Sequence, residues 1–184
     1  AGRSLKTLWL RQQSFLRKGH VMSKLAFIFP GQGAQKAGMG KDFYENSEAA
    51  RSFFDQAQKI LDFDLKEMCF GEHEELNLTE YTQPCMVSVC LAIVQELKKR
   101  GINPDITAGL SLGEYAAVAA ADGMNELDAI KLVRRRGILM QSTVPAGEGA
   151  MAAVLGLDAK KIEEILESFE NVWIANYNCP GQIV

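Results

Sequence analysis

The apolar positions of this chain fall into stretches of two different periods, and the change from one to the other outlines the elements. Leu25-Ala26-Phe27-Ile28-Phe29 is an unbroken apolar run that stops at Pro30, the pattern of a parallel strand buried on both faces. Over residues 47–61 the period lengthens: Ala50, Phe53, Phe54, Ala57, Ile60 and Leu61 recur every three or four positions. That spacing predicts an amphipathic helix, with Ser47 as its N-cap. Residues 84–99 are apolar nearly all round (Met86, Val87, Val89, Leu91, Ile93, Val94, Leu97), and the run ends in Lys98-Lys99-Arg100-Gly101. This predicts a buried central helix that Pro84 opens and Gly101 closes. A short strand over 105–108 and helices over 114–121 and 125–141 follow. In the last of these, Leu127, Ile130, Leu132, Val133, Ile138 and Leu139 are expected to face inward.

After Pro145 and Gly147-Glu148-Gly149, which mark a turn, the grain of the sequence changes. Residues 150–155 read as a strand, 158–168 as an acid-capped amphipathic helix, and 172–177 as a second strand. This βαβ-type run has the look of a small lobe of its own. The chain ends at Gln182-Ile183-Val184, partway into what reads as a further strand. The expected organisation is therefore a core over 22–145 and a small subdomain beginning at 146, preceded by a disordered basic extension over 1–21.

Charge sets that extension apart. Residues 1–21 hold Arg3, Lys6, Arg11, Arg17 and Lys18 and no acid, leaving 15 basic against 23 acidic residues and a net charge of −8 in the remainder. An acidic body argues against a general nucleic-acid binder, which needs a basic face. Met22-Ser23-Lys24 reads as an ordinary cytosolic start. Residues 1–21 are accordingly read as translated upstream sequence rather than a targeting segment. No apolar stretch reaches the ~18–20 residues needed to span a bilayer, so a membrane partner is not expected. Cys69, Cys85, Cys90 and Cys179 show no C-x-x-C pairing and suit reduced thiols in a cytoplasmic protein better than metal or disulfide chemistry. His73 lies in a charged connector, Glu72 to Glu75, and is assigned no chemistry.

The candidate chemistry sits at Gly109-Leu110-Ser111-Leu112-Gly113, between the short strand and the helix that follows it. A G-x-S-x-G pentapeptide in a strand-turn-helix setting is a nucleophile elbow: the small flanking residues let the chain turn sharply and present the hydroxyl. Ser111 is the candidate nucleophile. The first strand also runs into a glycine-rich loop, Gly31-Gln32-Gly33-Ala34-Gln35, whose backbone N–H groups are free to meet a ligand. It lacks the G-x-x-x-x-G-K-[ST] of a P-loop, so nucleotide binding is not indicated.

Taken in order, Phe29-Pro30-Gly31-Gln32-Gly33-Ala34-Gln35, Thr82-Gln83-Pro84, Gly109 to Tyr115, Arg136-Gly137 with Met140-Gln141, and Asn176 to Gln182 resemble malonyl-CoA:acyl-carrier-protein transacylases. The resemblance covers residues 22–184, about the N-terminal half of that family's domain. It implies an α/β fold: an α/β-hydrolase-like core with a mainly parallel sheet and a ferredoxin-like small lobe, both incomplete here. It also implies a ping-pong reaction of fatty acid biosynthesis, in which Ser111 takes malonyl from coenzyme A and hands it to the phosphopantetheine thiol of acyl carrier protein. The N–H groups of Gln32 and Leu112 become the oxyanion donors. Arg136 holds the malonyl carboxylate through two hydrogen bonds. Gln83, Met140, Asn176, Asn178 and Gln182 match positions around the pocket. Neither metal nor cofactor is needed, and the complete enzyme is expected to be a monomer.

Two departures stand out. Many members carry His where this chain has Leu110, which bears on local packing. The family's catalytic histidine lies beyond the stretch that Val184 closes, so the chain is expected to be a truncated transacylase, inactive by itself. A hydrolase is disfavoured by Arg136 and the glutamine loop. A polyketide-type acyltransferase taking substituted malonyl units, or a non-catalytic acyl-CoA or carrier-protein binding fragment, is the alternative.

Overall fold

The computed structural model describes residues 24–144 and 147–184. The expectations for residues 1–21 and for Pro145 lie outside the described residues. The fold is mixed α/β and divides into two compact units, 1–141 and 142–184.

In the larger unit, β1 (Ala26–Phe29) pairs in parallel with β2 (Ile106–Gly109), in a register that sets Ala26 beside Ile106 and Phe29 beside Gly109. Between them run α1 (Lys41–Asn46), α2 (Glu48–Gln58), α3 (Leu65–Phe70), a 3₁₀ turn (Glu74–Asn77) and the long α4 (Thr79–Lys99). After β2 come α5 (Gly113–Ala120) and α6 (Glu126–Thr143). Helix α4 is the centre of the core. Its Cys85, Val87, Leu91, Ala92 and Val94 are buried among Phe53, Phe54, Leu65, Ala116, Ile130 and Val133 from the surrounding helices.

Local signals explain the helix starts. The Ser47 hydroxyl accepts the Ala50 N–H at 3.0 Å and donates to Glu96 Oε2 at 2.5 Å, so the cap of α2 is also a tie to α4. Asp64 caps α3, and Asn125 Oδ1 accepts the N–H groups of Leu127 and Asp128 at the start of α6.

Three expectations are corrected. Helix α4 starts at Thr79, so Pro84 lies inside it rather than opening it. A proline within a helix leaves the carbonyl four residues back without its N–H. Here that carbonyl is Glu80 O, and Arg134 Nη1 of α6 donates to it at 2.8 Å. The second correction concerns β1, which the described residues cover on one face only. Phe27 and Phe29 turn to the core, whereas Ile28 is 78% exposed, and Ile106, on the same face of β2, is 54% exposed. The third lies on α6. Its buried residues Ala129, Ile130, Val133 and Gly137 define one face, while Leu132 and Leu139, a heptad apart, share the opposite one and are exposed.

In the smaller unit, β3 (Val154–Leu155), α7 (Ala159–Leu166), β4 (Tyr177–Cys179) and β5 (Gln182–Ile183) form a three-stranded antiparallel sheet of order β3-β5-β4 with one helix. The strands are shorter than the apolar runs 150–155 and 172–177 suggest, because extended chain becomes strand only where another strand meets it. Strand β5 lies between the two strands that flank α7, so they are not neighbours. Asp158 caps α7 through the Lys160 N–H at 2.9 Å.

Candidate active site

The elbow is built by two clearances. A Cβ on Gly109 would lie 2.1 Å from the Gly113 carbonyl carbon, and one on Gly113 would lie 2.3 Å from Phe29 O. Only glycine lets β2 turn this tightly into α5 against the end of β1. Ser111, between them, is held at φ 51, a conformation costly for a residue with a side chain. Its side chain is exposed, ahead of the first turn of α5.

Because β1 and β2 run parallel, the loops leaving both strands emerge at the same end of the sheet. Leu110 N–H donates to Phe29 O at 3.1 Å, and Gly31 packs so closely that a Cβ there would lie 2.8 Å from Leu110 O. The glycine loop and the elbow are thus in direct backbone contact. Leu110 is half exposed and rests on Gly31. Leu112 has its side chain buried beneath the elbow. Neither the Gln32 nor the Leu112 N–H is engaged by a backbone carbonyl among the described residues.

Side-chain amides brace the loop. Gln32 Nε2 donates to Thr79 Oγ1 at 3.0 Å, and the Thr79 N–H, one of the free donors in the first turn of α4, goes to Gln141 Oε1 at 3.1 Å. Gln35 bonds its own loop at Gly33 N–H and reaches Asn77 Oδ1 at 3.1 Å. Gln83 is fully buried; its Nε2 faces Gln32 Oε1 at 3.5 Å and Met140 Sδ at 3.3 Å, and its Oε1 has no partner among the described residues. Gln32, Gln83 and Met140 are therefore one cluster. The close approach of α6 to the start of α4 is made at Gly137, where a Cβ would lie 2.8 Å from Glu80 Cα.

The three consecutive arginines have three different surroundings. Arg134 bonds Asp62 through two nitrogens, both at 2.9 Å, reaches Glu80 Oε2 at 3.1 Å, and stacks on Phe63 and Tyr81. Its guanidinium holds the Asp62 carboxyl below its usual pKa. Arg135 is exposed. Arg136 is half buried, lies 5.5 Å over the ring of Tyr115, and has no carboxylate within ion-pair distance among the described residues. Tyr115 lies in the first turn of α5, the helix that the elbow leads into. Tyr115 is visible in the sequence only as part of the run that follows Ser111, without a role of its own, and nothing local marks Thr79.

Asn176, Asn178 and Gln182 belong to the smaller unit. Asn176 exchanges backbone hydrogen bonds with Val184, and Asn178 Nδ2 donates to Gln182 Oε1 at 3.4 Å across the β4–β5 turn. His73 Nε2 meets Glu67 Oε1 at 3.1 Å, and its ring packs on Gly71. All four cysteines are free thiols, and burial pushes Cys90 up to about 11. Among the described residues no group of three or more His, Cys, Asp or Glu is placed to hold a metal ion, and no helix is long and apolar enough to cross a membrane.

A presented serine on a strained elbow in backbone contact with a glycine loop is the arrangement that the comparisons with known proteins can be set against. Residues 26–184 match the acyl transferase domain family, and the chain belongs to it. Within that family it is similar to the malonyl CoA-acyl carrier protein transacylase of Bacillus subtilis, 48% identical over 168 residues, covering 89% of this chain and 53% of the relative. The crystal structure of the transacylase of that name from Clostridium perfringens superposes with a TM-score of 0.79 at 44% identity, covering 88% of this chain and 52% of that one. A complex described as a type II PKS acyl-carrier protein with its malonyl-transacylase gives a TM-score of 0.79 at 38% identity, covering 88% and 54%. The chain spans about half the length of these relatives.

Proposed function

We propose that this chain carries the nucleophile, the oxyanion donors and the carboxylate anchor of a malonyl-CoA:acyl-carrier-protein transacylase. Ser111 Oγ attacks the thioester carbonyl of malonyl-CoA, and the carbonyl oxygen gains negative charge facing the N–H groups of Gln32 and Leu112. Collapse breaks the C–S bond, coenzyme A leaves as its thiol with the serine proton, and malonyl remains as an ester on Ser111. The phosphopantetheine thiol of acyl carrier protein then attacks that ester and restores the serine. One oxyanion donor is typically worth ~10²- to 10³-fold in rate. The base that relays these protons is expected in the part of the relatives' length that this chain does not span.

The observation that carries the reading is Arg136. A half-buried guanidinium over the ring of Tyr115, with no carboxylate partner among the described residues, is a ready receptor for one, and malonyl differs from acetyl by that group. Gln83 and Met140 adjoin Gln32, whose N–H is one of the proposed oxyanion donors, and Asn176, Asn178 and Gln182 are carried over from the family motif alone.

The same reading extends to architecture. The parallel β1–β2 pair feeding the elbow supports an α/β-hydrolase-like core over 22–145, and the β3-β5-β4 sheet with α7 supports a ferredoxin-like lobe from 146. The protein is proposed to act in the cytoplasm, in fatty acid biosynthesis, without metal or cofactor. The similarity to a transacylase bound to a type II PKS carrier keeps a polyketide-type acceptor as the second reading.

The test is intact-protein mass spectrometry after incubation with malonyl-CoA. A malonyl adduct that disappears in Ser111→Ala supports the assignment. An adduct that persists in that variant refutes the nucleophile, and no adduct on the unsubstituted chain leaves binding as what this half of the domain does without the base.

A further inference from the structure

We propose that Thr79 and Gln141 are positioning residues for acyl transfer: a chain of hydrogen bonds running from α6 through the start of α4 grips the glycine loop and fixes the direction of the Gln32 N–H. The inference rests on the reading of that N–H as an oxyanion donor for the Ser111 reaction and adds what aims it.

The loop has little of its own to hold it. Gly31 is packed on Leu110 O, but among the described residues 31–35 make no backbone–backbone hydrogen bond. Gly33 stands at φ 108, and Gln32, Gly33 and Ala34 are exposed. The direction of a peptide N–H follows the φ and ψ beside it, so in an unpaired loop it is set by what holds the neighbouring side chains. Two glutamines are held, and both at the same place. Gln32 Nε2 donates to Thr79 Oγ1 at 3.0 Å and Gln35 Nε2 to Asn77 Oδ1 at 3.1 Å, two acceptors at the entry to α4.

That entry is itself pinned from outside its own helix. Leu78, the N-cap residue of α4, makes no side-chain cap, so the Thr79 N–H needs an acceptor from elsewhere. Gln141, 62 residues on, supplies it through Oε1 at 3.1 Å. Thr82 Oγ1 is 2.6 Å from Leu76 O and 3.0 Å from Leu78 O, which ties the incoming chain to the helix. Helix α6 closes on the same point, where a Cβ on Gly137 would fall 2.8 Å from Thr79 O. Thr79 is therefore the link: its N–H is held by α6, and its hydroxyl holds the loop. Deleting an oxyanion donor costs ~10²- to 10³-fold in rate. Releasing the grip misdirects the Gln32 N–H without removing it, so a smaller loss, roughly tenfold, is expected.

The experiment uses the 184-residue chain and two substitutions, Thr79→Val and Gln141→Met, which keep side-chain size and each drop one acceptor. Backbone amide relaxation by NMR at Gln32 reads the grip with no acyl chemistry involved, and the rate of malonyl adduct formation on Ser111 across malonyl-CoA concentrations reads its effect. The order parameter of the Gln32 amide is expected to fall from the ~0.85 of rigid backbone to below ~0.6. The maximal adduct rate should fall roughly tenfold with the half-saturating malonyl-CoA concentration unchanged. Thr79→Ser and Gln141→Glu keep the acceptors and should restore both readouts, and the double variant should be no worse than the more severe single one, because the two act along one chain. The proposal is overturned by an unmoved order parameter, by a fallen order parameter with an unchanged adduct rate, or by losses that Thr79→Ser and Gln141→Glu fail to restore. Absence of any adduct on the unsubstituted chain counts against the acyl-transfer reading alone; the Gln32 order parameter then still upholds the grip if it falls and overturns it if it does not.

Discussion

Arg134→Met should destabilise the larger unit by about 2–3 kcal/mol while leaving acyl recognition intact, and the figure can be assembled from the contacts it removes. The largest loss is the hydrogen bond to Glu80 O, the carbonyl that Pro84 leaves without an N–H. An unsatisfied buried acceptor costs ~1–3 kcal/mol, and Glu80, being half buried, belongs at the lower end. Asp62 is mostly exposed, so its two bonds to Arg134 add ~0–1 kcal/mol despite their good geometry. Stacking on Phe63 and Tyr81 adds ~0.5–1 kcal/mol for each ring, part of which the methionine side chain recovers. Urea unfolding followed by circular dichroism measures the total, with Arg135→Met as the exposed control, expected near zero. Arg134→Lys keeps the charge but not the fork and should fall between the two. The decisive comparison is in a Pro84→Ala background. There residue 84 offers Glu80 its own N–H, and the cost of Arg134→Met should shrink by ~1 kcal/mol, the net worth of one hydrogen bond. A loss below ~0.5 kcal/mol for Arg134→Met, or the same loss with and without Pro84, would refute the account.

The neighbouring arginine should behave in the opposite way. Arg136→Ala is expected to leave the urea midpoint within error and to lower malonyl adduct formation on Ser111 roughly ten- to a hundredfold relative to acetyl, the equivalent of ~1.5–3 kcal/mol for a hydrogen-bonded charge; equal loss for both acyl groups would assign Arg136 to packing. Gly113→Ala should abolish the adduct and destabilise the fold, since its Cβ would fall 2.3 Å from Phe29 O; a stable, reactive variant, read by melting and mass spectrometry, would contradict the elbow geometry. Acid should loosen the tie between α2 and α4. Burial alone would raise the Glu96 pKa, but the Ser47 hydroxyl and the Arg100 guanidinium outweigh it and hold it below its usual value of 4.5. Its stabilisation is therefore fully present above that value and lost as pH falls through the lower folded one, because the unfolded state takes up the proton first. Urea midpoints measured from pH ~6 down to ~3 should fall less steeply for Glu96→Gln than for the unsubstituted chain; parallel profiles would exclude Glu96 as a source of the pH dependence.

Part of this protein follows from its sequence alone, because a few adjacent residues contain the cause. Ser47 and Asp158 announce helix starts through hydroxyl and carboxylate groups that reach N–H groups two or three residues on. The elbow is equally local: Gly109 and Gly113 on either side of Ser111, after a strand and before a helix, allow a turn that other residues would block. What the tertiary structure decided depends on partners distant in the chain. Pro84 reads as a helix start until Arg134, fifty residues later, is found serving the carbonyl it orphans. Three arginines in a row are indistinguishable by type, and only the positions of Asp62, Glu80, Phe63 and Tyr81 make one of them structural while Tyr115 receives another. The run Leu25 to Phe29 states that its residues are apolar but not which face finds cover. Burial is a property of what packs against a strand, and on the side of Ile28 and Ile106 the described residues bring nothing to pack.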